Sequence, residues 1–250
     1  MKSFISNNRY RILAVSSVAV MFLLWELVAI HFNSPQIMPS PVETLAATAG
    51  LFATRNFILT VGWTLLRGVA GFAIAIFAGI ALGIPGGLSK GADAFFRPWV
   101  VVMRSTPVVA FVLLALIWFE SSNVPLFIGV LTMFPMIYTN VSEGIRSVDR
   151  NLVEMAGFYR VGRIRTVREV YLPAIAPFVT SGISTAVGIG WRAIIIGEVL
   201  SQPAYGIGTV MHESQSFLRV DILIAWTVIA VLLSALFDKL IKICPWNSNK

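Results

Sequence analysis

From Ile12 to Ile30 the chain reads ILAVSSVAVMFLLWELVAI, a run in which Glu26 is the single ionisable residue. About 20 such residues, wound as a helix, match the thickness of a bilayer's hydrocarbon. Inside a membrane the backbone has no water to bond, so an exposed strand or loop is excluded and a helix satisfies its polar groups within itself. Comparable runs recur at about Phe57–Ile84, Pro98–Phe119, Val124–Val141, Pro173–Ile196 and Ile222–Ile243. Charge is correspondingly scarce: 12% of residues are Asp, Glu, Lys or Arg, where soluble domains carry roughly a quarter. That is too little to make a hydrated surface. The expected fold class is an all-α polytopic membrane protein with about six transmembrane helices.

Lys2, Arg9 and Arg11 ahead of the first run resemble a signal peptide, but the apolar stretch is long and no small-x-small site precedes His31. A retained span is expected, with Glu26 near its far end either reaching interfacial water or serving as a buried functional carboxylate. Prolines punctuate Pro35–Gly50 and end that helix, and Thr44–Phe52 has the character of a short surface helix. The expected organisation is an N-terminal span and connection over 1–56, a five-helix core over 57–243 and a tail over 244–250.

With the N-terminus inside, fifteen of the nineteen Lys and Arg residues fall on inner segments, leaving Arg55, Arg67, Arg192 and Arg219 outside or in the outer halves of spans. The positive-inside rule then places both termini in the cytoplasm. The net charge of +7 is thus a statement about sidedness, and nucleic acid is not an expected partner. One cysteine, Cys244, and two histidines, His31 and His212, allow neither an intrachain disulfide nor a Cys/His metal cluster. A membrane-embedded enzyme needs clustered His, Asp or Glu, and no such constellation stands in the sequence.

Small residues recur every fourth position at Gly71, Ala75, Gly79 and Gly83, and again at Gly182, Ala186 and Gly190. In a membrane this spacing lets helix backbones approach closely, so the second and fifth spans are expected inside a bundle.

The exception to the apolar pattern is EMAGFYRVGRIRTVREVYLPAIAP, Glu154–Pro177, where Arg160, Arg163, Arg165 and Arg168 crowd together. Asn151 with Glu154 fits a capping box, with Asp149 competing for the cap. A short helix over about Leu152–Tyr159 is expected, then a second helical stretch aligning Ile164, Val167 and Val170, stopped by Leu172-Pro173. A loop of about 30 residues with its own helices is usually functional. It suits docking of a soluble partner, or an interfacial helix on phospholipid headgroups.

Three further places stand out. Arg104-Ser105-Thr106-Pro107 combines a kinking proline with hydroxyls able to bond freed carbonyls, a candidate gate or a structural kink. Trp191 and Arg192 lie deep in the fifth span; an intramembrane arginine is a functional signal, whether it meets an anionic substrate or pairs with Glu198 or Glu26. Gly206 and Gly208 shape an outer re-entrant loop or a simple glycine turn.

The order Glu154-Met155-Ala156, a gap, then Tyr171-Leu172-Pro173 resembles the EAA loop of permease subunits of bacterial ABC importers, the binding-protein-dependent transport family. MPSP (Met38–Pro41), TLLRGVAGF (Thr64–Phe72), GIALGIPGGLS (Gly79–Ser89), MRSTPVVA (Met103–Ala110) and GEVLSQPAYGIGTV (Gly197–Val210) are similar to its nitrate/sulfonate/taurine branch. Three positions depart from the pattern: Met155 stands where alanine is usual, Arg160 where glycine is usual, and Glu120 where WFG would end in glycine. The resemblance implies a type I importer permease bundle in the bacterial inner membrane, dimeric around a pathway, a second identical copy being the simpler expectation. It implies ATP and Mg on separate ATPase subunits, no cofactor on this chain, and a periplasmic or lipid-anchored binding protein delivering a small solute of sulfonate, nitrate, taurine or vitamin-precursor type. Carried onto this chain, the ATPase-coupling residues are Glu154, Met155, Ala156, Gly157, Arg160, Gly162, Leu172 and Pro173. A Walker-type loop is not formed by Gly83–Lys90, since Lys90 is followed by Gly91. The competing functions are a non-transporting membrane scaffold or receptor, and a lipid-modifying enzyme.

Overall fold

The computed structural model describes residues 2–243, and the side chains of 12–239. The described chain is helical with short connections. In order the elements are α1 (Lys2–Phe32), α2 (Pro41–Leu51), α3 (Phe57–Leu88), α4 (Lys90–Ser105), α5 (Val108–Trp118), α6 (Val124–Arg146), α7 (Arg150–Phe158) and α8 (Arg163–Thr166). A π-turn (Val167–Tyr171), α9 (Leu172–Ser201), α10 (Ile207–Ser216) and α11 (Val220–Ile243) follow. Five helical stretches are long and apolar enough to cross a membrane, and a sixth is counted if a bent pair is one span.

Contacts divide the chain into two compact units, Met1–Phe57 with Val210–Ala230, and Ile58–Thr209 with Val231–Lys250. In the first, Ser40 and Glu43 form a reciprocal capping box: the Ser40 N–H donates to the Glu43 carboxylate at 2.8 Å and the Glu43 N–H to Ser40 Oγ at 3.2 Å. Pro41 takes the first helical position, where a missing N–H costs nothing. This cap starts the surface helix three residues before the expected Thr44. The Trp25 indole donates to the Pro39 carbonyl at 2.9 Å, and Phe57 stacks on Trp226 with centroids 5.6 Å apart.

The second unit is built around α6, with 56% of its most apolar window buried against 28% for α3 and 22% for the stretch containing α9. The fourth span, which the sequence did not single out, is therefore the central one. Glycines set its register. A Cβ at Gly79 would lie 2.6 Å from Ile137, at Gly83 2.9 Å from Val141, and at Gly87 2.6 Å from Ile145. Each step of four along α3 matches a step of four along α6, so these helices run parallel. On α9 the order reverses: Gly197 faces Pro125, Gly190 faces Met133, and Gly182 faces Asn140, while Gly144 of α6 faces Phe178. Helices α6 and α9 are antiparallel over their length. The small-residue positions thus do what their spacing suggests, closing two interfaces onto one helix, which returns the fit with Gly129 against Ile194 and Gly144 against Phe178.

The expected single span Pro98–Phe119 is not a straight helix. Helices α4 and α5 meet at a bend of 102°. Pro107 has no N–H to continue the ladder, and the residue before a proline is driven out of the helical region; Thr106 accordingly has ψ 132°. Its backbone N–H and its hydroxyl both donate to the Val102 carbonyl, at 3.0 and 2.8 Å, which ties down the last turn of α4 just before the break.

The start of α4 is tied to the ends of α3 and α6. Arg146 Nη2 pairs with Asp93 at 2.7 Å and donates to the Gly86 carbonyl at 2.8 Å. Cys244 lies outside the described residues.

Candidate functional site

The basic insert folds as a compact helical hairpin. Asp149, not Asn151, caps α7, its carboxylate accepting the Asn151 N–H at 2.9 Å. An extended Asp149 can turn its side chain onto the first free amides, whereas Asn151 lies already within the helix. Ala156 points inward and is buried. Leu152, Met155, Phe158 and Tyr159 are exposed, Phe158 to 84%. Glu154 and Gly157 are also exposed, and a Cβ on Gly157 would meet nothing within 4 Å.

Helix α7 ends in a Schellman motif: Val161 N–H donates to the Ala156 carbonyl at 2.8 Å and Arg160 N–H to Gly157 at 3.0 Å. The motif needs a left-handed residue, normally glycine, and Arg160 fills it with φ 53°. This explains the departure at Arg160 in physical terms: the turn is retained although its preferred residue is not. Gly162 then caps α8, and Arg165 pairs with Glu169 at 2.9 Å on the exposed face.

Leu172-Pro173 does not stop the helix, against expectation. The chain stays helical from Arg163 to Ser201. Pro173 brings a missing N–H and a ring that crowds the carbonyl four residues back. The π-turn over Val167–Tyr171, closed by Leu172 N–H to the Val167 carbonyl, widens the spiral just before it.

The second cluster is buried at the other end of α9. Glu198, expected near Arg192, is instead paired with Arg67 of α3: Nη1 to Oε1 is 2.7 Å, with the two side chains 6% and 0% exposed. Thr64 Oγ1 lies 2.9 and 3.0 Å from the two carboxylate oxygens, and the Gly208 N–H donates at 3.0 Å. The Thr64 hydroxyl has one proton to give, and it accepts the Ile207 N–H at 2.9 Å. Arg67 also donates to the carbonyls of Ser122 at 3.2 Å and Tyr205 at 2.8 Å.

One ion pair therefore joins α3, α9, the α5–α6 connection and the loop leading into α10. The carboxylate faces the N-terminal end of α10, where free amides favour a negative charge. Gly206 and Gly208 are needed here for space, not for a turn. Neither has positive φ, and a Cβ would lie 2.7 Å from the Glu198 carboxyl carbon at Gly206 and 2.5 Å from the Ile195 carbonyl at Gly208. Arg67 and Thr64 escaped the sequence reading, although Arg67 is the sole charged residue of α3 and a lone arginine in a span is the signal that finds it.

The remaining candidates are dispersed. Ser105, Thr106 and Pro107 form the α4–α5 hinge, with Ser105 exposed. Trp191 is buried, its ring 5.4 Å from Phe237. Arg192, one residue on, is exposed. No group of three or more His, Cys, Asp or Glu arranged to hold a metal stands among the described residues.

A multi-span helical bundle with an exposed helical hairpin between two of its spans defines a polytopic membrane protein. The chain belongs to the family of binding-protein-dependent transport system inner membrane components, whose model matches residues 71–244. It is similar to the aliphatic sulfonates transport permease SsuC of Escherichia coli K12, 32% identical over 91% of this chain and 84% of the relative. It is also similar to the taurine permease TauC of the same organism, 24% identical over 97% of this chain and 92% of the relative. The bicarbonate permease CmpB of Synechococcus elongatus is 30% identical over 60% of this chain and 55% of the relative. The protein is a permease subunit of an ABC importer, supplying a translocation pathway and not an enzyme itself.

Proposed function

We propose that two copies of this chain enclose a pathway for a small solute bearing an oxyanion group, driven by ATPase subunits that grip the α7 hairpin. Helix α7 carries this reading. Its ends are fixed by the Asp149 cap and the Schellman turn at Arg160, and it holds Leu152, Met155, Phe158 and Tyr159 out of the bundle. A rigid helix with apolar residues turned outward fits a groove in a soluble partner. The docking residues are Glu154, Met155, Ala156, Gly157, Arg160 and Gly162, with Ala156 seating the helix. Leu172 and Pro173 join the hairpin to α9, so a displacement of α7 is passed to a span packed along the whole of α6.

ATP and Mg²⁺ belong to the partner subunits. The glycine-rich stretch ending at Lys90 supports this, being the helical end of α3 and the start of α4 rather than a phosphate-cradling loop. Parallel α3 and α6 support six crossings, because the chain between them has to return across the membrane through the bent α4–α5 pair. An even number of crossings puts both termini on one side, and the arginines of the insert make that side cytoplasmic. The solute class is suggested by SsuC, TauC and CmpB, whose names specify sulfonates, taurine and bicarbonate. A binding protein delivers it from outside. Lipid covers the exposed apolar surface of α1, with 6% of its window buried.

The test is capture of partners from mild detergent by the tagged permease, with Glu154→Arg and Gly157→Trp compared at equal recovery of folded protein. An ATP-binding subunit is expected with the native chain and lost with both variants. Its absence from the native complex overturns the docking role and leaves α7 as a lipid-surface helix.

A further inference from the structure

On the side of α9 away from α6, Ser181, Thr185 and Arg192 are exposed and Gly188 is half-exposed, a Cβ there meeting nothing within 4 Å. At 100° per residue these four fall within an arc of about 60°. The arc is polar from end to end, in a helix whose other exposed positions nearby are Ile189, Ile196 and Leu200. The opposite side, Gly182, Ala186, Gly190 and Ile194, is the side that packs on α6.

Arg192 lies nine residues before Ser201, the last residue of α9, which is about 13 Å along the helix axis. Taken from that end of the span, this is most of the ~15 Å half-thickness of the hydrocarbon, a depth at which an arginine has to stretch its full length to meet the interface. A guanidinium there cannot be left against acyl chains without a large penalty; such residues line water-filled cavities. Glu198 does not neutralise it, because that carboxylate is taken by Arg67, Thr64 and Gly208. Val108, the first residue of α5, packs on the cluster that contains Ile128 and Ala193, the residue after Arg192.

We infer that the Ser181–Thr185–Gly188–Arg192 face of α9 lines the aqueous pathway and that Arg192 is its anion-selecting residue. Resting on the permease reading, this assigns charge selection to the membrane subunit as well as to a binding protein. The hydroxyls and bare backbone of the arc give a solute neutral hydrogen-bonding partners, and the one fixed charge lets anions accumulate and disfavours cations.

The experiment uses the full-length permease in sealed membrane vesicles with Cys244→Ser, which leaves the chain without cysteine. Single cysteines are placed by Thr185→Cys, Gly188→Cys and, as a control on exposed α3 surface, Phe77→Cys. Each is reacted with sulfonatoethyl methanethiosulfonate, an anion, and trimethylammonioethyl methanethiosulfonate, a cation, with rates divided by those of a free thiol. Gly188 and Arg192 are one turn apart, with Cβ atoms about 5–6 Å from each other. A unit charge at that distance in the dielectric of bulk water, attracting the anion and repelling the cation equally, gives a normalised anion-over-cation preference of about tenfold.

The expected result is labelling at 185 and 188 but not 77, with that preference at 188 lost in Arg192→Gln and kept in Arg192→Lys. Protection of 185 and 188 to the level of 77 overturns the pathway assignment. Labelling whose preference ignores residue 192 overturns the selecting role. Both outcomes are read without ATP or substrate, so they are separable from failure to capture an ATPase.

Discussion

Replacing Arg67 by Met tests whether the buried charge cluster is a single unit. The Glu198 carboxylate is fully buried and takes donors from Arg67, Gly208 and Thr64. Without the guanidinium it keeps two donors and loses its only counter-charge among them, while the carbonyls of Ser122 and Tyr205 lose a shared donor. Removing one partner of a buried pair costs about 3–5 kcal/mol. Glu198→Gln strands the guanidinium and should cost a similar amount. In the double variant no charge is stranded, and the remaining loss is of hydrogen bonds at about 1 kcal/mol each. The double variant should therefore be more stable than the sum of the singles requires, by about 3 kcal/mol or more. The assay is denaturant unfolding in mixed micelles followed by tryptophan fluorescence, with Arg67→Lys as a milder variant that keeps the charge and loses the fork. Exposures of 6% and 0% also make the coupling insensitive to salt. Singles that add to within about 0.5 kcal/mol, or an Arg67→Met cost below about 1 kcal/mol, would refute the coupling.

Two further predictions rest on backbone and packing. Arg160→Gly should raise the thermal midpoint, because glycine occupies φ 53° without the cost of about 1–2 kcal/mol borne by other residues; an unchanged or lower midpoint, with ATPase capture intact, would show that Arg160 makes compensating contacts. Gly79→Ala should destabilise by about 1–3 kcal/mol through overpacking, since its Cβ would lie 2.6 Å from Ile137, whereas Gly62→Ala meets nothing within 4 Å and should gain up to about 1 kcal/mol of helix propensity. Equal effects from the two, measured by the same unfolding assay, would contradict the α3–α6 register.

Much of the molecule was legible in one dimension because the bilayer enforces one-dimensional rules. Apolar run length gave the spans, small residues four apart gave the close-packing faces, and a crowd of arginines marked the insert. The errors fall where two local rules compete. At Asn151 and Asp149 both residues can cap, and the backbone entry angle decides for Asp149. At Leu172-Pro173 the proline rule says stop, but a π-turn lets a long helix absorb it. At Thr106-Pro107 a kink was foreseen, yet its angle of 102° depends on what α5 packs against.

Sequence alone determined the class of fold, the number of spans to within one, and the family resemblance, since each follows from local composition and motif order. Tertiary structure alone decided that α6 is the central helix, that Arg67 rather than Arg192 holds Glu198, and that Gly206 and Gly208 serve close approach. Arg67 and Glu198 stand 131 residues apart. No local periodicity relates such positions, and a charge finds its partner only when the register of two helices on a third brings them to the same depth.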